Sequence, residues 1–431
     1  MRILLTSNAP YLPPRGGSTR SNLAFLRVLA GQGHQCLVVA GMPESDTPEQ
    51  QTRLRNELQD QQFDGSLAAK LGHDPTVRAR LDEIEIVAVR DLPRNFQVVS
   101  ERVKSWRPDW VLVSSEDLSH TLLRQVARVA PGRMIYLAHT PQWFPFGPAA
   151  WNPDRDAASA VRNCAAVVVI SHAMASYVEL HLRRRPVVAH PPIYGAAPWP
   201  ILSRFDGYMG IINPCAVKGI STFLALADVL PDRKFAALPG WGTTRHDLEN
   251  LKRRKNVTVL PRVGTIDLFL QRLSILLMPS VWLEGFGLIV MEAMLRGVPV
   301  ISSDSGGLRE AKAGTRFVIP VRIVERYEQI YDDRNMPRPV LPPQSIEAWV
   351  IAIHELTKSR ETYEQEVRRE REAAVKFVQS IDRLAIEKLL DSLPPPLDLP
   401  AGKIKPILSQ LSEAKRELLL KRLRERAGEK K

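Results

Sequence analysis

The chain has 431 residues, with 59 Lys and Arg against 47 Asp and Glu, a formal net charge of +12 and 44% hydrophobic residues. That length has room for two domains with their own cores, and the three scattered cysteines (Cys36, Cys164, Cys215) form neither zinc spacing nor a disulfide framework, so a reducing, cytoplasmic setting is expected. The opening MRILLTSNAP is too short in apolar length for a signal peptide, and no apolar run approaches the roughly 20 residues of a membrane span.

Taken in chain order, the first half reads as a βαβ unit: strand Arg2–Thr6, loop SNAPYLPPRGGSTR, helix Ser21–Ala30 closed by Gly31 and Gly33, and strand Gln35–Ala40. Residues 43–83 are polar and read as mostly helix or loop, with no assignable role. Further strands are expected at Glu85–Val89, Trp110–Ser114, Met134–His139 and Ala166–Ile170, with helices between. The last-but-one of these ends in His139, and the aromatic run QWFPFGPAAW (Trp143, Phe144, Phe146, Trp151) follows it. That run suits either a core or a surface for stacking an acceptor. The triplet Asp154-Arg155-Asp156 has the form of an Asp-x-Asp metal motif. It follows Asn152-Pro153 and precedes AASAVRN, so helix capping accounts for it and no metal site is expected.

The second half restarts the same pattern after a Pro-containing break near Ala196–Ser203. Strand Gly207–Asn213, helix Ile220–Val229 and strands Lys234–Leu238 and Val257–Leu260 lead to the most informative segment, LMPSVWLEGFGLIVMEAMLRGVPVISSDSGGLRE, from Leu277 to Glu310. Gly285 and Gly287 make a turn after an apolar strand. Leu288–Arg296 then reads as a helix stopped by Gly297 with Pro299 beyond, and Val298–Ser302 as the next strand. A helix opening from a glycine turn at the carboxyl end of a parallel strand is an anion site, and Glu284 and Glu292 beside it can accept hydrogen bonds from sugar hydroxyls. Ser345–Leu390 reads as a long charged helical region.

The Pro279-Ser280 pair, the Glu-Gly-Phe-Gly-Leu core, the seven residues between Glu284 and Glu292, and the trailing Gly-Val-Pro-Val-Ile…Gly-Gly…Glu resemble the E-x7-E signature of retaining glycosyltransferases of family 4. The resemblance implies the GT-B fold: an α/β architecture of two Rossmann-like domains with parallel sheets facing a central cleft. It implies an acceptor-side domain at 1–197 and a nucleotide-sugar domain at 198–344. Helices at 345–393 would cross back to the first domain, followed by a tail at 394–431. The implied activity is transfer of a sugar from a nucleotide-activated donor, a UDP- or GDP-sugar, to a hydroxyl acceptor with retention. No metal or other cofactor is expected, because helix N-termini and basic groups offset the diphosphate charge.

The resemblance also distributes roles. Glu292 would bind the ribose, while Glu284 and the backbone at Phe286, Gly287 and Leu288 would hold the donor sugar. His139 would contact that sugar, Gly16 and Gly17 would lie against diphosphate and acceptor, and Lys218 in NPCAVKG would meet the diphosphate. Where the family carries Arg five residues before that Lys, this chain has Asn213, which can donate only through its amide. That departure leaves open a second reading, a catalytically silent GT-B protein serving as a binding partner or scaffold.

Ten Lys or Arg and five Asp or Glu fall in residues 396–431, so the remaining 395 residues carry only +7, ordinary for an enzyme with anionic substrates. After Pro394-Pro395-Pro396, Leu408, Leu411, Leu419 and Leu423 share a helical face opposite basic residues. Such a helix suits an anionic membrane surface. It lacks the aromatic or glycine pattern of a nucleic-acid binder. Leu411–Arg424 also resembles the short segment preceding condensation domains of peptide synthetases. That resemblance implies docking to a peptide synthetase or polyketide assembly line through 409–426, in specialised-metabolite or glycoconjugate biosynthesis.

Overall fold

The computed structural model describes residues 1–61 and 63–394, and Met1–Pro394 make one compact unit. The tail readings therefore fall outside the described residues. Two sheets organise the unit.

The first contains β1 (Arg2–Pro10), β2 (Gln35–Gly41), β3 (Thr76–Leu81), β4 (Ile84–Val89), β5 (Trp110–Ser114), β6 (Met134–Ala138), β7 (Ala166–Val169) and β8 (Val187–Val188), in the order β3-β4-β2-β1-β5-β6-β7-β8. Its central strands are unbroken apolar runs such as CLVVA and WVLV. They are buried on both faces, as parallel strands covered by helices must be. The helices are α1 (Gly16–Gly31), α2 (Pro48–Asp60), α3 (Leu67–His73), α4 (Leu92–Ser105), α5 (Thr121–Val129), α6 (Arg155–Asn163) and α7 (His172–Leu182).

The second sheet contains β9 (Tyr208–Ile212), β10 (Phe235–Leu238), β11 (Val257–Val259), β12 (Leu273–Met278), β13 (Val300–Ser303) and β14 (Val318–Ile319). Its order is β11-β10-β9-β12-β13-β14 with every neighbour parallel. Its helices are α8 (Ile220–Val229), α9 (Arg245–Lys252), α10 (Asp267–Leu270), α11 (Leu288–Leu295) and α12 (Leu308–Ala311). An antiparallel ribbon of β15 (Tyr327–Tyr331) and β16 (Pro337–Pro339) follows. Strand order reverses between β1 and β5 in the first sheet and between β9 and β12 in the second, and ligands of doubly wound sheets bind at such switch points.

One expectation needs correction. Residues 43–83 are not only helix and loop: Thr76–Leu81 forms β3, antiparallel to β4, so the first sheet is mixed at that edge. Its alternating burial and exposed arginines hide it from a search for apolar runs. The helical region at 345–390 comprises α13 (Glu347–Leu356), α14 (Arg360–Ser380) and α15 (Ala385–Ser392). Helix α14 packs Ala374 into the second domain's core beside Val290 and Met294 of α11. Helix α15 does return to the first domain, where Ile386, Leu389 and Leu390 join the core with Leu26 and Val38. Lys312 and Glu370, both with side chains at most 1% exposed, form an ion pair fixing α14 to the sheet. Both are also tied to Val300, the Lys312 ammonium through the carbonyl and the Glu370 carboxylate through the N–H. A buried pair must have its remaining polar atoms satisfied in this way.

Candidate active site

Lys218 and Glu284 follow the two strands that flank the second sheet's switch point. After β9 the chain turns through Asn213 and Lys218 to Gly219, which caps α8. Gly219 has φ +77°, and a Cβ there would lie 1.9 Å from the Pro279 carbonyl oxygen at the end of β12. Only glycine lets the two loops touch, and that contact carries Lys218 to the carboxylate. Glu284 Oε1 accepts from Lys218 Nζ and Ser280 Oγ, each at 2.5 Å. Lys218 Nζ also stands 4.3 Å above the centre of the Trp282 ring. The Glu284 and Lys218 side chains are only 9% and 14% exposed, so little water screens their attraction.

One turn into α11, Glu292 is paired across the cleft. Its Oε1 accepts from Arg20 Nη2 at 2.5 Å, the two side chains being 5% and 42% exposed. Arg20 sits in α1, the helix that begins at Gly16. In the same region Gly17 approaches α11 so closely that a Cβ would meet Leu288 Cδ1 at 3.1 Å. The two domains thus touch where α1 and α11 both open.

His139 ends β6 and is buried. Its Nε2 faces Asn22 Oδ1 at 2.8 Å, while Asn22 Nδ2 donates to the Tyr11 hydroxyl and to Ser114 Oγ. That network assigns the hydrogen to Nε2 and leaves Nδ1 an acceptor, without a partner among the described residues. Burial pushes the imidazole down to about 4, so it is neutral at pH 7. Its carbonyl oxygen lies 2.2 Å from where a Cβ on Gly285 would be, so the turn bearing Glu284 rests directly against the end of β6. Ser171 Oγ donates to the Gly285 carbonyl at 2.6 Å, and Gly307 N–H to the Glu284 carbonyl at 2.8 Å.

Asn213 is buried with φ +53°. Its Oδ1 accepts the Gly242 N–H at 2.8 Å, and its Nδ2 has no partner among the described residues. The donor of its amide is therefore unpaired but buried. The Phe286 side chain is 1% exposed and stacks on Phe377, so at this position only the backbone is free for a ligand. Gly287 caps α11, whose first N–H groups have no intrahelical acceptor. Asp154 caps α6 by accepting the Ala157 N–H at 2.8 Å and pairs with Arg124, as capping requires. Of the aromatic run, Phe144 and Phe146 are core, while Trp151 packs against Trp282 and Tyr327.

Beside this cluster lies a cavity of about 1470 Å³, which Gly16 lines but Lys218, Glu284, Glu292 and His139 do not. That exceeds the roughly 300–1,000 Å³ of a site for one small ligand. One wall is Arg15, Gly16 and the polar face of α2, including Thr52, Arg53 and Asn56. The other includes Gly240, Trp241 and Arg262. Glu57 accepts from both Arg15 and Arg53 at 2.7 Å, tying α2 to the loop before α1.

Arg20 and Ser280 as partners of the two carboxylates, and Trp282 beneath the Lys218 ammonium, were not read from the sequence. Ser280 and Trp282 both stand within the Leu277–Glu310 string, whereas nothing in the sequence marks Arg20.

Two family models match: Glycosyltransferase Family 4 over residues 15–193 and Glycosyl transferases group 1 over 218–373. An uncharacterised 42.6 kDa protein from the cps region of Klebsiella pneumoniae is 30% identical over 123 residues, which are 28% of this chain and 31% of that protein. Among solved structures, the sucrose-phosphate synthase of Thermosynechococcus elongatus superposes with a TM-score of 0.63 at 14% identity, over 90% of this chain and 96% of that one. Staphylococcus aureus TarM, in complex with Fondaparinux, alpha-GlcNAc-glycerol and UDP, gives 0.62 at 10% identity over 91% and 100%. Anabaena HepE, in complex with UDP and glucose, gives 0.60 at 14% over 91% and 100%.

Proposed function

We propose that this chain, a glycosyltransferase of the GT-B fold, transfers a hexosyl or related sugar from a UDP- or GDP-sugar to a hydroxyl acceptor with retention of configuration. The observation that carries this reading is the pair of buried carboxylates at the switch point, each held by a cation: Glu284 by Lys218 and Glu292 by Arg20. In this reading Glu292 receives the ribose hydroxyls. The diphosphate lies against the N-terminus of α11, the Lys218 ammonium and the Asn213 amide. The donor sugar lies between Glu284 and the acceptor nitrogen of His139. Offsetting the charge of the leaving diphosphate with fixed cations and N–H groups is the main catalytic contribution, and the chemistry needs no protein nucleophile. The leaving phosphate helps to deprotonate the acceptor hydroxyl on the same face.

The acceptor occupies the α2 side of the cleft, which offers it hydrogen-bonding groups from Thr52, Arg53 and Asn56. This gives residues 43–61 a role that their sequence alone did not.

A panel of UDP- and GDP-sugars, followed by nucleoside diphosphate release and NMR of the anomeric proton in the product, tests the reading. Release from one donor and a product of unchanged configuration are expected. An inverted product would remove the retaining assignment, and silence with every donor would remove the activity.

A further inference from the structure

Behind the Glu284 turn, at the seam of the two domains, His172, His190 and Glu310 converge from three separate segments. His172 is the first residue of α7, His190 lies between β8 and β9, and Glu310 lies in α12. Glu310 Oε1 faces His172 Nδ1 at 2.9 Å and His190 Nε2 at 2.6 Å, and the three ligand atoms all lie within 4.8 Å of one another. The second carboxylate oxygen is occupied, since Oε2 accepts the His172 backbone N–H at 2.8 Å. That bond orients the carboxylate and leaves Oε1 aimed between the two rings.

We propose that His172, His190 and Glu310 form a site for a zinc-like divalent cation that bridges the two domains. Two imidazoles and one carboxylate are a common zinc ligand set, leaving the fourth position to water. Nitrogen ligands disfavour Mg²⁺ and Ca²⁺, which take oxygen. Tetrahedral bonds of about 2.1 Å need ligand atoms roughly 3.4 Å apart, so each nitrogen must move off Oε1 by less than about 1 Å. Each ring then carries its hydrogen on the far nitrogen, so two neutral imidazoles become ligands by a change of tautomer. The His172 side chain is 75% exposed and gives the ion a way in, while those of His190 and Glu310 are 18% exposed. The His190 ring stands edge-on to Phe286 and Phe377 at 5.5 and 5.1 Å, an apolar wall that limits solvent access to the site.

The site's position gives it a consequence. Glu310 is three residues beyond Gly307, which holds the Glu284 carbonyl, and His190 packs on Phe286. A bound ion would therefore stiffen the turn that carries Glu284 and hold the two domains together.

The test uses untagged, full-length protein stripped of metal, titrated with zinc in competition with a chromophoric chelator, and with Co²⁺ monitored by visible absorption. One zinc per chain is expected, together with a Co²⁺ spectrum of tetrahedral intensity. His172→Ala and Glu310→Gln should each weaken zinc by more than ~100-fold, beyond the 10–100-fold of outer-shell changes. His172 is exposed, so its variant keeps the fold, checked by unchanged thermal unfolding in excess chelator. Absence of zinc uptake by the wild type, or equal uptake by His172→Ala, would overturn the proposal.

Discussion

The two sheets share one strand order around their switch points but differ in what hangs from them. The second sheet moves from strand to helix to strand through loops that deliver Lys218 and Glu284, with Glu292 one turn into the helix that follows. The first interrupts the same plan between β2 and β4 with α2, α3 and the antiparallel β3, and α2 forms a wall of the cleft. In the proposed reading the donor side is fixed by backbone contacts that tolerate no side chain, such as Gly219 against Pro279. The opposite side is fixed by α2, whose solvated polar face can change without disturbing Leu54 and Leu58, which it buries in the core.

The largest expected effect lies at the end of β6, where the first domain meets the Glu284 turn. Burial holds His139 at about 4 against an ordinary 6.5, so unfolded chain binds a proton in that window that folded protein refuses. Stability from this group is complete above pH 6.5 and is lost toward pH 4, by on the order of 3 kcal/mol. Glu116, buried and raised to about 7, works in the opposite direction over pH 4.5–7. The useful quantity is therefore the difference between wild type and His139→Gln in denaturant unfolding. The stability of the variant relative to wild type should rise as pH falls from 6.5 to 4. A constant difference would mean that His139 is not held neutral by burial.

A smaller effect is expected from α2. Arg53→Ala and Asn56→Ala should each raise the acceptor KM up to about tenfold, because a lost hydrogen bond is worth about 0.5–1.5 kcal/mol. Donor hydrolysis without acceptor should stay within twofold or so. Two-substrate kinetics separate the outcomes. Equal damage to donor hydrolysis would erase the contrast between the two sides of the cleft.

The same contrast explains what could be read from sequence. Strands such as Trp110–Ser114 and the helix Ile220–Val229 stand where periodicity puts them, because both faces of a parallel sheet impose continuous apolar runs. The carboxylates were legible because one glycine turn spaces them. Their partners were not: Arg20 lies 272 residues before Glu292, and nothing local marks it among other exposed helical arginines. Nothing local marks Lys312 and Glu370 as buried, yet they are buried together, since each is acceptable in a core only because of the other. β3 was missed because its alternating arginines imitate a loop.

Binding of a nucleoside diphosphate by the second domain through Glu292 and Lys218 is decided by isothermal titration of nucleoside and nucleoside diphosphate against wild type, Glu292→Ala and Lys218→Ala. A charge-assisted contact is worth about 1.5–3 kcal/mol, so Lys218→Ala should weaken the diphosphate at least tenfold or so while sparing the nucleoside. Glu292→Ala should weaken both ligands alike. Unchanged affinity in Glu292→Ala, or equal losses for the two ligands in Lys218→Ala, would contradict it.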